Sequence, residues 1–104
     1  MIYLIFVNVA STSELKPDEM MAVNANGKAI LLANLNNKYY AIGNICTHMG
    51  CPLSKGTLKG ENVECVCHGS TFDLKTGKVI RGPADAPEPK YELKIENGKI
   101  LISI

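Results

Sequence analysis

The sequence predicts an all-β protein made of about nine short antiparallel strands. Three observations lead to this prediction. Apolar and polar residues alternate with a period of two on both sides of Asn-Gly dipeptides, as in β-hairpins. No stretch of 11 or more residues carries the apolar spacing of a helix. Gly, Asn and Pro divide the chain into short segments, and its 104 residues suit a single domain.

Each predicted strand is an apolar or alternating segment bounded by turn residues. In chain order we predict strands over residues 2–7, 20–23, 29–33, 38–42, 63–66, 71–74, 78–80, 91–95 and 100–104. Two of the turns are the dipeptides Asn26-Gly27 and Asn97-Gly98, which favour tight hairpins. A single helical turn fits residues 11–15, because Pro17 closes it.

The chain divides into a β base and an inserted segment of different composition. The base comprises residues 1–43 and 85–104, where the strands are long and apolar. Residues 44–84 are rich in Gly, Cys and short turns, and predict a subdomain built mainly from loops.

Composition and charge exclude several classes of protein. Eleven basic residues balance ten acidic ones, and no block of like charge occurs, so we expect neither a nucleic acid nor an anionic membrane as partner. The mean hydropathy is +0.05. The most apolar run is about half the roughly 20 residues that a spanning helix needs. We therefore expect a folded protein without a membrane span.

The residues able to bind metal are confined to one short part of the chain. All four cysteines and both histidines lie within 23 residues: Cys46, His48, Cys51, Cys65, Cys67 and His68. Buried structural cysteines are ordinarily scattered along a chain. The confinement therefore predicts a site.

Six donors exceed the four that a tetrahedral zinc ion or a two-iron cluster uses, and two sets remain open. One gives a zinc site of two thiolates and two imidazoles: His48, Cys51, Cys65 and His68. The other gives an asymmetric 2Fe-2S site: Cys46, His48, Cys65 and His68. The second set leaves one cysteine of each segment able to bond to the other. The spacing favours the cluster over zinc.

The two segments resemble the signature of Rieske-type 2Fe-2S proteins. Residues 46–51 read Cys-x-His-x-Gly-Cys, and about 13 residues later residues 65–70 read Cys-x-Cys-His-Gly-Ser. Gly82-Pro83-Ala84 is similar to the proline loop that covers the cluster in this family. The resemblance spans the whole chain, and implies a β-sandwich or incomplete barrel in which residues 44–84 bind the cluster.

The resemblance also assigns roles to individual residues. It implies that Cys46 and Cys65 bind the inner iron and that His48 and His68 bind the outer iron at an exposed tip. It further implies a disulfide between the two remaining cysteines, Cys51 and Cys67, as in the members of cytochrome bc complexes.

Four further positions around the predicted cluster have expected roles. Gly50 and Gly69 are expected as turn glycines, where the absence of a side chain also lets backbone amides approach cluster sulfur. Ser70 is expected to donate to a bridging sulfide, but Phe72 stands where bc-like members carry a Tyr whose hydroxyl donates to a ligand sulfur. Hydrogen bonds to sulfur stabilise the reduced cluster, so we expect a potential below that of the bc-like pattern.

The function implied is that of a small soluble electron carrier, a Rieske-type ferredoxin. It would pass single electrons between a reductase and an oxygenase or respiratory acceptor, and we expect it in the cytoplasm. The chain contains no flavin or nicotinamide fingerprint, so we expect an electron-transfer protein and not an enzyme. Two alternatives remain: a non-catalytic subunit, such as the small subunit of an assimilatory nitrite reductase or a detached bc-type module, and a zinc-stabilised interaction module.

Overall fold

The computed structural model describes residues 5–48, 50–67 and 69–103, and within them the fold is entirely antiparallel β. The ten strands are β1 Phe6–Ser11, β2 Glu19–Ala25, β3 Lys28–Leu35, β4 Lys38–Gly43, β5 Thr57–Lys59, β6 Asn62–Glu64, β7 Thr71–Asp73, β8 Val79–Arg81, β9 Leu93–Glu96 and β10 Lys99–Ser103. They form three sheets, ordered β1-β10-β9, β2-β3-β4 and β5-β6-β7-β8. The predicted fold class is confirmed.

The sheet β2-β3-β4 is built from two consecutive hairpins. Asn26 and Gly27 join the first pair with φ of 50° and 82°, the left-handed conformation that an Asn-Gly turn favours. Asn36 and Asn37 make the second turn, also with positive φ. The first hairpin was predicted from its Asn-Gly dipeptide, and the second turn joins the strands predicted over 29–33 and 38–42. Asn tolerates this conformation better than other residues with side chains.

Strand β3 lies at the centre of the molecule and presents one face to each of two hydrophobic cores. Ile30 and Leu32 belong to the base core, which also contains Ile100 and Ile102 of β10. Leu31 and Ala33 point to the opposite face and belong to the site core. This division follows from the period-two geometry of a strand, and explains why β3 is apolar almost throughout.

The site core joins β3 and β4 to the sheet β5-β6-β7-β8. Its buried members are Leu31, Ala33, Leu35, Ile42, Cys46, Leu53, Val63, Cys65, Phe72, Leu74 and Ala84. Cys46 and Cys65 therefore lie in the same apolar cluster, although 19 positions separate them in the sequence.

Some local elements differ from the prediction. The predicted strand over 63–66 is β6 Asn62–Glu64, because residues 65–67 turn away to form a loop. Strand β5 and the 3-10 turn Leu53–Lys55 were not predicted, since each contains a single apolar residue and gives no periodic signal. The predicted helical turn is the 3-10 turn Thr12–Glu14, where the Ser11 N–H donates to Glu14 Oε1 at 2.8 Å.

Two further predictions concern the chain end and the membrane. The strand predicted over residues 2–7 overlaps β1 Phe6–Ser11 only at residues 6 and 7, and β1 continues four residues further than predicted. Residues 1–4 of the apolar run lie outside the described residues. Among the described residues, none of the helical segments is long and apolar enough to span a bilayer.

Candidate metal centre

Two six-residue loops with the same backbone hydrogen bonds form the centre. The first loop, residues 46–51, closes on the bridge between Ile45 and Pro52, and the second loop, residues 65–70, closes on the pair Glu64 and Thr71. In each loop the N–H of the first cysteine donates to the carbonyl of the residue five positions later, at 2.8 Å and 2.7 Å respectively. Cys46 and Cys65 thus occupy equivalent positions.

A glycine at the fifth position completes each loop. Gly50 and Gly69 donate to the carbonyls of Cys46 and Cys65 at 2.8 Å and 3.1 Å, with φ of 79° and 80°. No described heavy atom lies within 4 Å of where a Cβ on Gly69 would be. Glycine is therefore required there by backbone conformation, as expected of a turn glycine. The expected approach of amides to cluster sulfur stays a prediction.

The two cysteines that begin the loops are buried, and the histidine of the first loop is exposed. Cys46 and Cys65 are each 3% exposed and do not take part in the disulfide. Both cysteines belong to the site core, together with Leu53, which is fully buried. His48 lies two residues after Cys46 and faces solvent. His68, the second predicted histidine ligand, lies outside the described residues.

A disulfide between Cys51 and Cys67 connects the first loop to the second. Their Cα atoms are 6.4 Å apart. The Sγ atoms of these two residues and of Cys65 all lie within 4.8 Å of one another. The predicted pairing is confirmed, and the zinc set that required Cys51 as a thiolate is incompatible with it.

The proline loop, residues 82–86, contacts both other loops. The Ala84 N–H donates to Ser70 Oγ of the second loop at 3.0 Å. The Thr47 hydroxyl of the first loop donates to the Ala86 carbonyl at 2.6 Å. Pro83 follows a cis peptide bond and is exposed at the same end of the molecule. Three loops therefore support one another around the two buried thiols.

Ser70 and Phe72 are fully buried beside the second loop. Ser70 Oγ accepts from Ala84, and a hydroxyl that accepts can still donate, so its predicted bond to a sulfide stays a prediction. Phe72 packs in the site core between its strand partners Val63 and Val79. It offers no hydrogen-bond donor, consistent with the expected absence of the tyrosine hydroxyl.

The sequence reasoning missed Glu88, a buried carboxyl below the first loop. Its side chain is 4% exposed, and burial raises its pKa from 4.5 to about 7. A hydrogen bond from the Thr47 backbone N–H acts in the opposite direction and lowers the pKa. Glu88 lies in an irregular stretch between two prolines. Nothing in that stretch signals a buried acid.

The donor set fits an iron-sulfur cluster with mixed ligands. Two thiols that lie outside the disulfide stand at equivalent positions of two loops, in an apolar and water-poor setting. Thiolate sulfur in such a setting suits iron-sulfur chemistry. The exposed imidazole of His48 adds a nitrogen donor on the solvent side.

Comparisons with known proteins agree with this arrangement. Residues 5–94 match the family model of the Rieske [2Fe-2S] domain. The chain is 31% identical over 99 residues to the ferredoxin component of the naphthalene 1,2-dioxygenase/salicylate 5-hydroxylase systems of a Ralstonia species, a match covering 95% of each chain. It is 31% identical over 109 residues to the sulredoxin of Sulfurisphaera tokodaii, covering 97% of this chain and 100% of that one.

A solved structure shows the same fold. A chain in a complex of reduced oxygenase and oxidized ferredoxin in carbazole 1,9a-dioxygenase superposes with a TM-score of 0.89 at 29% identity. The match covers 95% of this chain and 93% of that one. The predicted all-β architecture and the resemblance drawn from the cysteine and histidine pattern are therefore confirmed.

Proposed function

We propose that this chain, which belongs to the Rieske [2Fe-2S] family, takes one electron at a time from a reductase and passes it to the oxygenase of a dioxygenase-type system. One observation carries the proposal: two loops of equivalent geometry each place a buried thiol outside the disulfide at one end of the molecule. The cofactor of the family is a 2Fe-2S cluster. A relative with this fold is a ferredoxin in complex with an oxygenase, which supports the choice of partner.

The proposed ligands are two thiolates and two imidazoles. Cys46 and Cys65 would hold the inner iron, since both sulfur atoms are buried. His48 would hold the outer iron, since it lies in the same loop but faces solvent. His68 is assigned as its partner ligand from its place in the Cys-x-Cys-His-Gly-Ser segment.

Bound between the loops, a 2Fe-2S cluster with this ligation would supply a one-electron acceptor with a potential of about −150 to +300 mV. The chain's own residues shape its surroundings. The disulfide holds the loops together, and Leu53 and Phe72 exclude water from the inner side. The exposed His48 leaves the outer side within reach of a partner protein.

The proposed division of the chain follows the same arrangement. Residues 44–84 form the part that binds the cluster, and residues 1–43 and 85–104 form the base. The proposed compartment is the cytoplasm. Detecting the chain in the cytoplasmic fraction of lysed cells would test this assignment. A disulfide is unusual in the cytoplasm, so alkylating the cellular thiols before lysis would show what fraction of Cys51 is oxidised there.

The first experiment identifies the cofactor and its ligands. The purified protein is expected to contain equal amounts of iron and inorganic sulfide, to absorb visible light, and to give a paramagnetic resonance signal of low average g value after reduction. His48→Ala and His68→Ala should each abolish that signal, whereas the exposed Lys55→Ala should leave it unchanged. Zinc without sulfide would overturn the proposal, and so would an unchanged signal in either histidine variant.

The second experiment tests the direction of electron transfer. With the reductase and oxygenase of a dioxygenase system, the visible absorbance should bleach when the reductase and its electron donor are added, and recover when the oxidised oxygenase follows. Omission of the reductase is the control. Failure of bleaching with several such reductases would contradict the assigned role.

A further inference from the structure

Glu88 occupies a position where a buried carboxyl is unexpected. It follows the proline loop and lies beneath the first loop, where its side chain is 4% exposed. Its Oε2 atom is buried and has no hydrogen-bond partner among the described residues. An apolar side chain would fill this position without the cost of removing a carboxyl group from water.

The backbone fixes Glu88 from two directions. Its N–H donates to the carbonyl of Gly77 at 2.8 Å, and a Cβ at Gly77 would overlap the Glu88 carbonyl oxygen. On the other side, the Gly43 N–H donates to the carbonyl of Pro89 at 2.9 Å. A Cβ at Gly43 would lie 2.5 Å from Glu88 Oε1. Gly43 therefore leaves room for the carboxyl group of Glu88, and Gly77 leaves room for the backbone carbonyl of the same residue.

From this place the segment 86–88 holds Thr47 at two points. The Thr47 backbone N–H interacts with the Glu88 carboxylate and favours its charged form. The Thr47 hydroxyl donates to the Ala86 carbonyl at 2.6 Å. Thr47 lies between the two proposed ligands of the first loop, so its position constrains both of them.

A basic side chain lines the same cavity as Glu88 but forms no ion pair with it among the described residues. Lys28 and Tyr91 line the same cavity of about 580 Å³, into which Ile45 and Pro89 also project. Lys28 Nζ lies 5.9 Å from the centre of the Tyr91 ring. No ion pair between Lys28 and Glu88 occurs in the described part of the chain. Burial raises the pKa of Glu88 to about 7, so the group is ionised in mildly alkaline solution.

We propose that Glu88 is a positioning residue for the cluster, which fixes the first loop through Thr47 and lowers the electron affinity of the centre through its buried charge. The inference rests on the proposed ligand set. An electron that arrives from the reductase adds negative charge beside an existing one, and this repulsion is screened little in a buried setting. No proton transfer is needed for this effect.

The charge is tested by the midpoint potential at pH 8 in the holoprotein. Glu88→Gln keeps an acceptor for the Thr47 amide and removes the charge. We expect a more positive potential, corresponding to about a threefold or larger rise in the ratio of reduced to oxidised protein at fixed solution potential. Glu92→Gln makes the same change at an exposed residue of the base and should leave the potential unchanged. A potential equal to that of the wild type, or equal shifts in both variants, would overturn the proposal.

The positioning role is tested by the rate of cluster loss. Glu88→Leu removes both the charge and the acceptor, so the visible absorbance should bleach in the presence of an iron chelator several-fold faster than in Glu88→Gln. Equal rates in the two variants would refute positioning through Thr47. The paramagnetic resonance signal separates this inference from the ligand assignment: a signal without the low average g value contradicts the ligands, whereas a normal signal with unchanged potential contradicts only the role of Glu88.

Discussion

The burial of Glu88 predicts a pH-dependent cost to folding. In the unfolded chain the carboxyl ionises near its usual pKa of 4.5, whereas in the folded protein it keeps its proton up to about pH 7. Between these values the folded state binds more protons than the unfolded state, so stability falls as the pH rises. The shift in pKa corresponds to a decrease of about 3 kcal/mol in the free energy of unfolding. The decrease is complete above pH 7.

Replacing Glu88 by Gln removes this dependence. Between pH 4.5 and pH 8, the Tm of the variant should rise relative to the Tm of the wild type by about 10 °C. This value assumes that 1 kcal/mol shifts the Tm by about 4 °C in a domain of this size. Calorimetric scans of the holoprotein at a fixed scan rate provide the measurement. The cost of burying an amide group is present at every pH, so the trend with pH isolates the carboxyl. A difference in Tm that stays constant across this range would refute the reasoning.

Three further predictions follow from the packing around the loops. Phe72→Tyr should raise the midpoint potential if the added hydroxyl reaches a ligand sulfur; an unaltered potential with an intact cluster would mean that the hydroxyl points elsewhere. Replacing both Cys51 and Cys67 by Ser should lower the free energy of unfolding by about 3 kcal/mol, because the disulfide closes a loop with a sequence separation of 16. The loss should appear as a lower Tm. Equal Tm values in the oxidised wild type and the variant would show that the disulfide does not stabilise the fold. Gly77→Ala should destabilise the protein more than Gly27→Ala, because both glycines have φ near 80° but, of these two, Gly77 is the one that lacks space for a Cβ. Denaturant unfolding measures the two changes in stability. Similar decreases in the two variants would contradict the close approach of Glu88 to Gly77.

The sequence could predict what short-range chemistry determines. The hairpin at Asn26-Gly27 was predictable because the turn conformation depends on the two residues that make it. The disulfide and the two loops were accessible through the resemblance, since the Rieske-type signature includes the cysteines and glycines of both segments. Cys46 and Cys65 lie buried at equivalent positions of the two loops, and the ligand roles of both cysteines and both histidines stay predictions.

The remaining features arise from contacts between distant parts of the chain. The bond from Thr47 to Ala86 joins residues 39 positions apart, and it exists only once the proline loop has folded back onto the first loop. Glu88 is buried by the same closure, although its neighbours in sequence are exposed prolines. Strand β5 is defined by its pairing with β6 and not by any pattern of its own.

Because β3 contributes to both cores, the base and the part carrying the loops cannot melt independently. Loss of β3 pairing would open the packing around Ile30 and around Leu31 in a single event. Folding should therefore be cooperative over the whole chain, with the slowest amide hydrogen exchange in β3 and similar opening free energies on both sides of it. Because the central strand has two apolar faces, the stability of the loops that bind the cluster depends on the packing of the whole molecule.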